Sequence, residues 1–106
     1  MTATVHELII PEWKFLEIVR ELLDRPDGVG WASPVMDAPD GRINLNSAME
    51  CLRVGFLEGA PVRNGNKQWC GVIAAIIAGR QTHISVCIET DHESGERWLN
   101  VLKIEE

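Results

Sequence analysis

The chain has 106 residues, 45% of them hydrophobic and 25% charged, the proportions of one soluble domain large enough to bury its own core. A net charge of −6 argues against tight, non-specific nucleic-acid binding, because phosphate neutralisation needs a clustered cationic face. No basic leader followed by an apolar core opens the chain, so no secretion signal is expected. The three cysteines, Cys51, Cys70 and Cys87, form no CxxC or zinc-ligand pairing and predict reduced core thiols in a cytoplasmic protein with no metal and no cofactor.

A single domain over residues 1–106 is expected. "TVHELII" (4–10) is apolar at its end and reads as a strand or an extended lead-in. Residues 11–25 predict a helix. Pro11 suits its first turn, and Phe15, Leu16, Val19, Leu22 and Leu23 recur at helical spacing. Lys14, Glu17, Arg20, Glu21 and Asp24 fill the other face, and Pro26 and Gly28 stop it. Trp13 and Ile18 widen the apolar stripe, as in a helix that packs on a sheet. Residues 27–46, rich in glycine and proline, predict a long loop. Trp31 within it either plugs the core or marks a binding surface. A short helix is expected at 47–54, with Ser47 and Glu50 as a capping box, Gly55 as its stop, and Leu45, Met49, Leu52 and Phe56 toward the core.

The most apolar stretch, "KQWCGVIAAIIAGRQTHISVCIE" (67–89), does not span a membrane. Its uninterrupted apolar part runs only from Trp69 to Gly79, against about 20 residues for a membrane helix, and Arg80 follows at once. "GVIAAII" and "HISVCIE" about "AGRQT" predict a hairpin. Ile84, Val86 and Ile88 alternate with His83, Ser85 and Cys87, as in a half-buried strand, whereas the first run is apolar at both parities and predicts a central strand covered on both faces. "TDHESGE" makes a polar turn and "RWLNVLKI" a third strand, giving an antiparallel meander over 67–104. The expected fold is therefore α+β: one long and one short helix packed on a three- to four-stranded antiparallel sheet.

From about Ser33 to Ile104, "RINLNSAMECLRVGFLEGAP" followed by a tryptophan, a hairpin and a strand resembles the small uncharacterised domains grouped with the RelE-like toxins of the barnase–EndoU–colicin–RelE superfamily. The resemblance implies a RelE-like fold and a ribonuclease site whose histidine and arginines precede the short helix. Here that segment is "ASPVMDAPDGRI", with Pro34 or Val35 where the histidine belongs and only Arg42 as a base. Metal-free RNA cleavage needs a proton acceptor, a proton donor and cations for the phosphorane. The proton-transfer role then falls to His83 or His92, which the resemblance does not supply.

The candidate catalytic residues are therefore His83 and Arg42, with Arg53, Lys67 and Arg80 as candidate phosphate-binding residues. His83, Ser85 and Cys87 would line one groove, although His83 and Cys87 lie about 13 Å apart along a strand, too far to share a metal unaided. Charge is uneven: residues 1–41 carry −5, 42–88 carry +3, and 89–106 carry −4. The leading expectation is an accessory protein of a mobile element or toxin system with a degenerate nuclease site. The alternatives are an active ribonuclease toxin and an acidic inhibitor or immunity-type protein whose partner is basic. RNA as a partner is disfavoured by the net charge.

Overall fold

A computed structural model of the chain describes residues 10–32, 45–63, 65, 68–91 and 93–105. Its first helix, α1 (Glu12–Leu23), starts where Pro11 fixes an extended backbone and its carbonyl accepts from the amides of Lys14 and Phe15 at 3.1 and 3.0 Å. Phe15, Ile18, Val19, Leu22 and Leu23 form the buried stripe, so Ile18 belongs to it and Leu16 only borders it. Trp13 instead points outward and is 65% exposed.

The chain turns through Asp24–Gly28 into β1 (Val29–Trp31), a three-residue strand inside the stretch expected to be a loop. A Cβ on Gly28 would lie 1.9 Å from the Leu22 carbonyl oxygen, so only glycine fits this turn. The helix α2 spans Leu45–Val54 and begins ahead of Ser47, which lies in its first turn and is not its N-cap. Ala48, Cys51 and Leu52 are its buried positions, with Met49 partly covered. After Gly55 come β2 (Phe56–Leu57), β3 (Val62–Arg63), β4 (Trp69–Ile77), β5 (Arg80–Thr90) and β6 (Arg97–Glu105).

The strands form one six-stranded sheet in the order β1-β6-β5-β4-β2, with β3 also pairing with β4. β4, β5 and β6 make the expected antiparallel meander, interrupted by an irregularity between Ser85 and Val86. β1, however, runs parallel to β6, with Val29 opposite Leu99 and Trp31 opposite Val101. The expectation of one long and one short helix on a three- to four-stranded antiparallel sheet is thus overturned. The sheet is mixed and six-stranded, and the helices, 12 and 10 residues, are nearly equal in length. The extra strands are only two or three residues long, too short to show a period of two.

Both helices contribute to one core. Leu57, Ile73, Ile84, Val86, Ile88, Leu99 and Val101 face Phe15, Val19, Leu22 and Leu52, and Trp31 packs partly buried against this cluster. A Cβ on Gly71 would come within 3.3 Å of the Phe15 ring, which places the helices on the face carrying Gly71 and Ile73. The first apolar run is therefore central but, among the described residues, not covered on both sides. Ile76, of the opposite parity, is 70% exposed. Among the described residues no helix is long and apolar enough to cross a membrane.

At the α2–β4 junction two backbones approach closely. A Cβ on Gly55 would meet the Cys51 and Ala74 carbonyl oxygens at 2.6 and 2.7 Å. Beside it, Arg20 donates from Nε to the Arg53 carbonyl and from Nη2 to the Gly55 carbonyl, both at 2.9 Å, and so closes the C-terminal end of α2. We expect Gly55→Ala to lower the unfolding free energy by about 1–3 kcal/mol through overpacking. Arg20→Met should cost a similar amount by leaving two carbonyls without their charged donor, roughly 1–3 kcal/mol. Chemical denaturation measures both, and wild-type stability in either variant would contradict this account of the junction.

Candidate functional site

Cross-strand register lines up one row on the open face, the side of the sheet that no helix covers among the described residues. Phe56 of β2 stands opposite Ala74 of β4, which stands opposite His83 of β5, which stands opposite Glu105 of β6. Just past β2, the Glu58 amide donates to the Val72 carbonyl at 2.8 Å, which holds the Glu58 side chain near the same row. Its Oε1 lies 2.5 Å from His83 Nδ1, and the two side chains are 31% (His83) and 43% (Glu58) exposed. A pocket of about 150 Å³ surrounds the pair, walled by Phe56, Ala74, Ile76 and Gln81. A carboxylate at Nδ1 favours the tautomer that keeps the proton there and orients the ring, leaving Nε2 to accept or donate a proton or to bind a ligand.

His83 is thus the one expected site residue found in a pocket with a chemical partner. Arg53 lies on α2, across the sheet, where Nη1 meets Asp24 Oδ1 at 3.0 Å. Arg80 opens β5 opposite Ile77, is exposed, and does not line the pocket. Arg42 and Lys67, together with His92, lie outside the described residues. The expected phosphate-binding group is therefore not assembled around His83 from Arg53 and Arg80. Sequence reasoning missed Glu58. Its signal was position: it is one of two acids in the otherwise basic segment 42–88.

The same face carries a second feature. Cys70 and Cys87 stand directly opposite each other on β4 and β5 and are joined by a disulfide. This corrects the expectation of three reduced core thiols. Cys51 alone is free and buried, and burial pushes its thiol pKa upward. No cluster of three or more potential metal ligands occurs among the described residues. Compared with family models, with curated proteins and with solved structures, the chain finds no match in any of the three.

Thiol counting tests the cysteine assignment. Without reductant, the native protein should expose no thiol to an alkylating dye, and the denatured protein should expose one. Reduction should raise the denatured count to three and lower stability by about 3 kcal/mol, the chain-entropy value for a closure of this length. Three thiols in the unreduced, denatured protein would contradict the Cys70–Cys87 bond.

Proposed function

We propose that this chain is a non-catalytic accessory protein, of the inhibitor or immunity type found in toxin systems, that binds a basic protein partner. The carrying observation is the sheet face that no helix covers among the described residues, where Phe56, Val62 and Ile76 are 64%, 61% and 70% exposed. Scattered apolar side chains are ordinary, but here Phe56 and Ile76 wall one pocket around a His–Glu pair. Charge selects the partner. By register, Glu58, Glu89 and Glu105 share this face with Lys103, and Lys103 already pairs with Glu105 at 3.3 Å. Among the described residues the surplus is negative, so a partner offering an apolar side chain and nearby Arg or Lys is complementary.

Uneven charge along the sequence suggests one acidic face built from its two ends, and among the described residues Asp27 and Glu96 do meet, lining one pocket where the α1–β1 and β5–β6 turns come together, whereas Glu105 lies apart from them. Asp24 and Asp27 lie at the end of α1, Asp91, Glu93 and Glu96 lie in or beside the β5–β6 turn, and Glu105 lies at the other end of β6, opposite His83. The basic middle is not set apart either, since Arg53 pairs with Asp24. A disulfide such as Cys70–Cys87 is of the kind that persists in an oxidising compartment.

A second reading, an active ribonuclease, is favoured by the His83–Glu58 pair alone, since one such pair supplies both a base and an acid. Against it, no cation lines the pocket to receive phosphorane charge among the described residues.

Two assays separate these readings. The purified protein should leave RNA intact, and tagged wild type should capture a basic protein from its host, with association slowing steeply as salt rises through the range where the Debye length is about 8 Å. Ile76→Asp should weaken that capture by roughly tenfold or more, with an unchanged melting temperature, because an interface anchor is removed from an exposed position. RNA cleavage abolished by both His83→Ala and Glu58→Gln would establish the enzyme reading. Capture of an acidic partner indifferent to salt would overturn the binding one.

A further inference from the structure

The strongest unassigned feature lies on the sheet at the opposite end from His83. Glu89 pairs with Trp98 where His83 pairs with Glu105, so the two places are six residues apart along β5, about 20 Å. There the α1–β1 turn meets the β5–β6 turn. The Leu99 amide donates to the Gly28 carbonyl at 2.7 Å and ties one to the other. Asp91 stiffens the second turn, its carboxylate accepting from the Glu93 amide and the Ser94 hydroxyl, both at 3.0 Å. Between the turns is a pocket of about 180 Å³, lined by Arg25, Pro26, Asp27, Glu96, Arg97 and Trp98.

Two cations and two anions line this pocket, yet their side chains make no ion pair or hydrogen bond with one another or with any described residue. All four charged residues are exposed, where pairing with one another would be worth little, and both turns are held by their own hydrogen bonds, so the charged side chains are open to a ligand from solvent. The ring of Trp98 is half-buried, and among the described residues the guanidinium that stacks on a tryptophan is that of Arg63, on Trp69. The pocket therefore presents donors for a carboxylate, acceptors for a cation, and an aromatic wall. It is smaller than the 300 Å³ or more usual for drug-sized ligands.

We propose that this pocket binds a cationic α-amino acid, with arginine as the best-fitting member of the class. Arg25 and Arg97 take the carboxylate, bidentate where the guanidinium fork allows. Asp27 and Glu96 take the positive groups, and the ligand guanidinium lies against Trp98. The site lies about 20 Å along β5 from the His83–Glu58 pocket and does not rest on the partner proposal.

The test is calorimetric titration of the whole purified chain with L-arginine, with agmatine, which lacks the carboxylate, and with L-citrulline, which lacks the side-chain charge. Arginine should bind about tenfold tighter than either analogue, the factor expected when a ligand forgoes one charge-assisted hydrogen bond. Arg97→Gln should narrow the lead over agmatine, and Glu96→Gln the lead over citrulline. Both residues are exposed, so neither change threatens folding. Absence of arginine binding up to 10-fold above about 1 mM, the weak end of ordinary affinities, would overturn the proposal. So would equal binding of all three compounds, or selectivity that survives both substitutions.

Discussion

Gly55 is where fold and site are decided together. The chain leaves α2 at this residue pressed against the β4 backbone, with room for a hydrogen and nothing larger. That closeness puts Phe56 opposite Ala74 and Leu57 opposite Ile73. Leu57 then enters the core, Phe56 emerges on the other face, and Glu58 arrives beside His83. Arg20 reaches from α1 to hold the same corner, so the packing of the two helices and the placing of the acid share one set of contacts. A bulkier residue would push β2 away from β4 and take Glu58 with it.

The second organising fact is that both helices among the described residues lie on one face of the sheet. Burying a side chain the size of Phe or Ile is worth about 1.5–3 kcal/mol, and Phe56, Val62 and Ile76 leave most of that unrealised. The Cys70–Cys87 bond ties β4 to β5 on this same face, alongside Val62, which stands opposite Cys70. The open face is thus held in register by a covalent link, which suits a surface meant to meet another protein without reorganising.

What the sequence disclosed follows from period. The α1 stripe and the β5 alternation between Ile84, Val86, Ile88 and His83, Ser85, Cys87 were legible because each runs for several repeats. β1, β2 and β3 were not, because two or three residues carry no periodicity and their pairing is set by distant partners in β4 and β6. The α2 face was shifted by a residue because Ala48 and Cys51 are small and apolar, weak signals next to Met49. His83 stands out in the sequence, but its partner does not. Glu58 is 25 residues away and reaches His83 only through the β2–β4–β5 register. The disulfide was missed for a like reason: 17 residues separate cysteines that only the hairpin register brings opposite each other.

The central claim is that the open face is the working surface. Site-specific photocrosslinking in the native host tests it most directly, with the reactive residue placed at Ile76 or at Trp13. The two positions are almost equally exposed, 70% and 65%, but Ile76 lies on the open face and Trp13 on the helix α1. A basic protein crosslinked from position 76 and not from position 13 is the predicted result. The same partner crosslinked as efficiently from position 13, or from there alone, would contradict it.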